Sequence, residues 1–288
     1  MDAFVPTSLG EALELRAAYP DAVPVAGGTD LMVELNFGRI RPATILDLSR
    51  VDELVTWHRR ADGSVFVGAR MTFAGIAREP AEFGALADAA RTVGSAQIRN
   101  RATIGGNLAT ASPAGDSLPV LAAYESKVVV ASASTGERKV PWHEFLIGPK
   151  RTSLEPDELI VGVEWDPASG PGYFAKVGPR NAMVIAVAGV CVQLDETTRR
   201  VRVGLGSVGP TVLRAPDAEA FAVAVIPWDE PGAGVPGDAL EEFGRLAAAR
   251  ATPIDDLRGS AAYRRHVVDR LARRTLGWSL RDRGGAAC

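Results

Sequence analysis

Two glycine pairs constrain this chain more than any other feature. The first sits in Ala26-Gly27-Gly28-Thr29-Asp30, after the short apolar run Val23-Pro24-Val25. The second sits in Thr103-Ile104-Gly105-Gly106-Asn107, with Thr110, Ala111-Ser112-Pro113 and Asp116 just behind it. Each places two glycines beside a hydroxyl and a carboxylate or amide. Glycine has no Cβ, so backbone N–H groups can approach a ligand closely there. Successive N–H groups in such a turn form a concavity suited to a phosphate. Two of these turns in one chain point to a ligand with a pyrophosphate at its middle and groups on both sides, a dinucleotide. The run before the first turn reads as a strand. Residues 30–37 after it read as a short helix, whose N-terminal end would add positive potential.

The rest of the chain limits what can surround such a ligand. Its 288 residues suffice for two domains, and 47% apolar with 23% charged content is that of a globular protein. A net charge of −3 gives no electrostatic case for nucleic acid. No apolar run reaches the roughly 20 residues that span a bilayer. The start, Met1-Asp2-Ala3-Phe4, carries neither a basic segment nor a long apolar core. With Cys191 and Cys288 as the two cysteines there is no disulfide framework and no cluster motif, and the expected location is the cytoplasm.

The periodicity changes near residue 150. Before it, helices alternate with short strands. Ser8 and Glu11 have capping-box spacing before a helix over 9–19. Strands are expected over 43–48 and 65–68, helices over 83–93 and 118–124, and a hairpin over 127–140 around Thr135-Gly136. Beyond it, 159–165, 172–177, 186–194 and 201–207 read as consecutive strands of an antiparallel sheet. Residues 221–237, rich in Pro and Gly, read as a surface loop. Helices follow over 238–249 and 260–276, with a frayed tail after 280.

Seven stretches, in order, carry a family resemblance: PVAGGTDL (24–31), QIRNRATIGGN (97–107), TASPAGD (110–116), PKRTSLEPDELIVGV (149–163), FAKVG (174–178), GLGSVGPTVLRA (204–215) and TPIDDLRGSAAYRR (252–265). The chain resembles the FAD-binding (medium) subunit of the xanthine dehydrogenase and carbon monoxide dehydrogenase family of molybdenum hydroxylases. The resemblance implies an α+β fold. A two-lobed FAD-binding domain (PCMH-like) would cover 1–165, and a C-terminal domain of antiparallel sheet plus helices, of the CO-dehydrogenase-flavoprotein kind, 166–288. It implies non-covalent FAD and an oxidoreductase subunit for electron transfer. The partners would be a molybdopterin-binding large subunit and a [2Fe-2S] small subunit, with NAD or another electron acceptor. A free-standing FAD-dependent oxidoreductase on the same scaffold is the alternative, and a flavin-free interaction module a third.

Residue by residue, the resemblance carries FAD contact onto Pro24, Val25, Ala26, Gly27, Gly28, Thr29, Asp30 and Leu31. It places a second phosphate and flavin segment at Thr103, Ile104, Gly105, Gly106 and Asn107, with Thr110 nearby. Asp116 would hold an FAD hydroxyl, Ile160 would pack on the flavin ring, and Lys176 would set a cation at the flavin's carbonyl edge. Plain chemistry offers alternatives for these three: an N-cap for the helix after Asp116, ordinary core for Ile160, and an outward strand position for Lys176.

One pattern points the wrong way. Gly204-Leu205-Gly206-Ser207-Val208-Gly209 satisfies G-x-G-x-x-G and follows a strand. A dinucleotide fingerprint must then open a helix. Pro210 follows instead, and 211–216 has no helical pattern, so a structural role is expected. His58, His143 and His266 show no metal-ligand spacing. The redox chemistry therefore falls to the cofactor.

Overall fold

The computed structural model describes residues 2–283. Its contacts divide these residues into two compact units, one from 2–76, 96–111 and 126–166, the other from 77–95, 112–125 and 167–283.

The first unit holds two main sheets. A parallel sheet runs in the order Asp2–Phe4, Thr44–Asp47, Val23–Val25. The helix Leu9–Ala18 makes the crossover, and the Ser8 hydroxyl accepts from the Glu11 N–H at its start. The Glu11 carboxylate in turn accepts from the Thr7 N–H at 2.7 Å, so the capping signature is realised one residue earlier than the usual box. Val23–Val25 is an edge strand, which tolerates the missing donor of Pro24. A five-stranded antiparallel sheet follows, in the order Trp57–Arg59, Val65–Gly68, Leu159–Trp165, Lys127–Ser132, Gly136–Pro141. A buried cluster of Ala12, Leu46, Leu54, Phe66, Val129 and Val161 joins it to the Leu9–Ala18 helix.

The second unit is built on an antiparallel meander, Gly172–Val177, Ala188–Asp195, Arg200–Gly206 and Leu213–Arg214. Alternation sorts its faces. Ala188, Val190, Val192 and Leu194, with Val201, Val203 and Leu205, turn to the helices Pro216–Val225 and Ala261–Arg283, on which Gly237–Arg250 packs in turn, and Phe243, Val268 and Leu276 are fully buried in this cluster. Burying each such large apolar side chain contributes about 1.5–3 kcal/mol. The opposite face takes the helix Ser117–Ala123. There the missing Cβ of Gly204 lets helix and strand touch, because a Cβ would lie 1.8 Å from the Pro119 carbonyl oxygen. The G-x-G pattern is thus a packing device inside a strand, as expected from Pro210.

Toward the C-terminus, two helices differ from the sequence expectation. Pro216–Val225 is helical where 221–237 was read as loop, because Pro216 sits at its first turn, where its fixed φ starts a helix and its missing N–H costs nothing. Ala261–Arg283 runs past 276 and on through 281–283. The remainder of the expected frayed tail, with Cys288, lies outside the described residues. No helix among the described residues is long and apolar enough to cross a membrane.

Candidate functional site

The first glycine turn links the edge strand Val23–Val25 to the short helix Leu31–Asn36. Its two glycines do different work. A Cβ on Gly27 would lie 1.9 Å from the Arg101 carbonyl oxygen, so Gly27 lets the second segment come into backbone contact. Gly28 takes φ +75°, a left-handed conformation that other residues adopt at a cost, and a Cβ there would meet only side-chain carbons at 3.5 Å and beyond. Among the described residues, the N–H groups of Gly28, Thr29, Asp30 and Leu31 donate to no protein acceptor. The turn is half-buried to exposed. Four successive unspent donors on a glycine turn are the donor set a pyrophosphate requires.

The second turn differs. Residues 104–110 form a helix, Ile104–Thr110, despite two glycines of poor helix propensity. The Thr103 hydroxyl caps it by accepting from Gly106 N–H at 3.1 Å. Ile104 N–H donates to Met71 O at 3.1 Å, Gly105 N–H to Ala69 O at 2.8 Å and Asn107 N–H to Thr103 O at 3.0 Å. These donors are already spent on the protein. Gly105 is glycine because a Cβ would lie 2.6 Å from Ala69 Cβ, whereas Gly106 is exposed and its Cβ would meet only the capping oxygen of Thr103. Thr103 and Ile104 are buried. The second segment thus offers a ligand its open Gly106 surface, not an N–H cradle.

These two segments are brought together. Besides the Gly27–Arg101 approach, the Thr110 hydroxyl lies 2.7 Å from Asp30 Oδ2 and 2.9 Å from the Gly106 carbonyl. Arg101 Nε donates to Gly27 O at 3.4 Å. Ile160 lies in the central strand Leu159–Trp165, 7% exposed, beside an irregularity in pairing at Ile160/Gly162.

Asp116 and Lys176 form the other set, in the second unit. Lys176 projects from Gly172–Val177 into the protein, with its side chain 8% exposed, so the outward strand position is excluded. Its ammonium donates to Thr92 O at 2.8 Å, Asp116 Oδ2 at 2.5 Å and Val184 O at 3.2 Å. All three of its donors are used. Asp116 precedes the helix Ser117–Ala123 but makes no capping hydrogen bond; its Oδ2 also accepts from Thr92 Oγ1 at 3.1 Å. Burial pushes the Asp116 carboxyl above its ordinary range, and Lys176 opposes that shift. Oδ1 accepts from no group among the described residues and remains open to a hydroxyl donor. Thr92 and Val184 went unnoticed in the sequence, since nothing local distinguishes a helix-terminal threonine or a loop carbonyl.

Unspent N–H groups on a glycine turn, held against a second glycine segment on an α+β scaffold, define a dinucleotide-binding protein. Comparison with known proteins gives the family. A profile described as "FAD binding domain in molybdopterin dehydrogenase" matches residues 1–165, and one described as "CO dehydrogenase flavoprotein C-terminal domain" matches 173–279. The chain is 29% identical to the putative xanthine dehydrogenase FAD-binding subunit XdhB of Escherichia coli (strain K12), over 96% of this chain and 95% of that protein. It is 32% identical to 6-hydroxypseudooxynicotine dehydrogenase complex subunit alpha of Paenarthrobacter nicotinovorans, over 97% of this chain and 94% of that protein. Among solved structures, a carbon monoxide dehydrogenase from Hydrogenophaga pseudoflava that lacks the Mo-pyranopterin moiety matches with TM-score 0.85 and 29% identity, covering 97% of this chain and 98% of that one. The chain belongs to the FAD-binding medium-subunit family of the molybdenum hydroxylases; it is an FAD-binding oxidoreductase subunit.

Proposed function

We propose that the chain works beside a molybdopterin-binding subunit and a [2Fe-2S] subunit, receiving electrons from the latter and delivering them to a separate acceptor. The observation that carries the flavin step is the first turn, where Gly28 to Leu31 present four N–H groups with no protein acceptor among the described residues. In support, several relatives are named as medium subunits or as subunits of a complex. The two cysteines of these 288 residues are also too few for a four-cysteine cluster.

The residues divide the work of holding the cofactor. The N–H groups of Gly28 to Leu31 bind the pyrophosphate, and the Thr29 hydroxyl adds a contact. Gly106 leaves room for close approach. Asp116 accepts a hydroxyl of FAD through Oδ1, and Lys176 acts largely through Asp116, opposing the cost of burying its carboxylate and keeping it aimed. Bound FAD supplies the redox chemistry.

The test is native mass spectrometry after mild purification, with the flavin then released by heat. The expected result is FAD, released without a covalent remnant, on a chain that co-purifies with a larger and a smaller subunit. A colourless chain that cannot be reconstituted with FAD would overturn the reading, as would released FMN. A chain that oxidises a small molecule without partners would replace it with the free-standing enzyme. For Lys176→Met we expect a loss of about 3 kcal/mol in stability, because the buried Asp116 loses its counter-charge. We also expect a lower flavin reduction potential in a spectroelectrochemical titration, because a positive charge is removed. A potential equal to or above wild type would exclude Lys176 from the flavin's surroundings.

A further inference from the structure

Arg264, on the helix Ala261–Arg283, is 2% exposed, a rare burial for a permanent charge. Its guanidinium is spread over three separate segments. Nη1 donates to Val187 O at 2.6 Å and to Ser207 O at 2.9 Å, and Nη2 to Asp256 Oδ1 at 2.6 Å. A fold-stabilising ion pair needs only Asp256. Of the remaining donors, Nε goes to Gly259 O at 3.4 Å, and Nη1 holds Val187 and Ser207, the latter a non-glycine residue kept at φ 64°.

Ser207 points back at both members of the Asp116–Lys176 pair. Its N–H donates to Pro113 O at 2.7 Å, fixing the start of the short turn that ends at Asp116. Its hydroxyl donates to Ala186 O at 2.7 Å. Ala186 closes the loop whose Val184 carbonyl takes Lys176 Nζ. That loop is also pinned by Val187 N–H to Val177 O at 2.8 Å, and Arg264 grips the carbonyl of the same Val187.

We infer that Arg264 is a positioning residue for FAD binding: through Ser207 it sets the Asp116 turn and the Lys176-binding loop in register with each other. This rests on the reading above that Asp116 accepts a hydroxyl of FAD. A planar fork is required, because one group must reach two carbonyls and a carboxylate at fixed angles.

The experiment uses the full chain with its co-purified subunits, stripped of flavin and titrated with FAD, alongside thermal melting and the flavin reduction potential. Three variants are compared, Arg264→Lys, Ser207→Gly and Asp116→Asn. Arg264→Lys keeps the charge opposite Asp256 and loses the fork. Ser207→Gly removes the hydroxyl but relieves the left-handed strain, so its melting temperature should stay near wild type. We expect the FAD dissociation constant of both to rise about three- to tenfold, the range that one lost hydrogen bond carries. We also expect Ser207→Gly combined with Asp116→Asn to bind no worse than Asp116→Asn alone, because the two act on one contact. If Asp116→Asn weakens FAD while Arg264→Lys and Ser207→Gly leave both affinity and potential unchanged, the inference fails and the reading of Asp116 stands. Additive effects in the double variant overturn it equally. If Asp116→Asn leaves affinity unchanged, the reading of Asp116 falls and the inference with it. Should Arg264→Lys not fold, Ser207→Gly decides alone.

Discussion

The turn 26–31 and the segment 204–209 both carry the closely spaced glycines that usually announce a nucleotide, and the structure separates them by what each missing Cβ faces. Gly204 faces the chain itself: a Cβ would lie 1.8 Å from Pro119 O, and its strand is paired on both sides. Gly27 does the same toward Arg101 O at 1.9 Å, but its neighbour Gly28 has φ +75° and open surroundings. The N–H groups from Gly28 to Leu31 then have no protein acceptor among the described residues. A glycine pair therefore offers an N–H cradle only when the donors beside it are unspent. Glycines whose added Cβ would strike backbone, such as Gly27, Gly105 and Gly204, mark close packing.

The largest expected effects come from the two backbone collisions. Gly204→Ala and Gly27→Ala should each cost about 3 kcal/mol or more in denaturant unfolding, because a rigid carbonyl must move. They should part company in FAD binding, since Gly27 holds the proposed cofactor turn against Arg101 and Gly204 holds a helix on a sheet. A Gly204→Ala protein that unfolds like wild type and yet binds FAD tenfold more weakly would break the comparison.

Next in size is Gly106→Val. Only the Thr103 capping oxygen lies near its added Cβ, at 3.1 Å, so the fold should survive. FAD affinity should fall at least about tenfold, or 1.4 kcal/mol, because the side chain enters the open surface. Unchanged flavin stoichiometry would remove Gly106 from the site. Gly28→Ala should be milder, at about 1 kcal/mol for the left-handed backbone, and should read out in stability and FAD affinity together.

How much of this was legible beforehand depended on whether the cause was local. The capped helix at Ser8, the hairpin around Thr135-Gly136 and the strand alternation from 172 onward are written in neighbouring residues. The helix over 216–225 is also locally signalled, by Pro216 followed by Asp217 and Glu219, although the Pro and Gly content of 221–237 reads as loop. The helix over 104–110 could not be read, because its N–H groups are held by Ala69 and Met71, far away in sequence. The same holds for Asp116: capping and ligand binding were both open, and only the approach of Lys176 and Thr92 shows where Oδ2 is spent. Which glycine of each pair was packed and which was open depended likewise on Arg101 and Ala69.

The smallest effect is also the most discriminating. Gly206 belongs to the same G-x-G pattern as Gly204, but its added Cβ would meet only Pro119 side-chain atoms, at 3.1 Å and beyond, and its φ is not left-handed. Gly206→Ala restricts the unfolded chain, which stabilises by about 0.4–1 kcal/mol where the native backbone accepts alanine. The close contact to the Pro119 ring opposes this with a similar cost, since the ring must give by a few tenths of an ångström. The two should cancel to within about 0.5 kcal/mol, with FAD affinity unchanged. A nucleotide-binding G-x-G would behave otherwise, because its second glycine is the one that meets the pyrophosphate. Equal FAD titrations for Gly206→Ala and wild type therefore keep 204–209 a packing motif, and a clear loss of affinity at unaltered stability would make it a second nucleotide site.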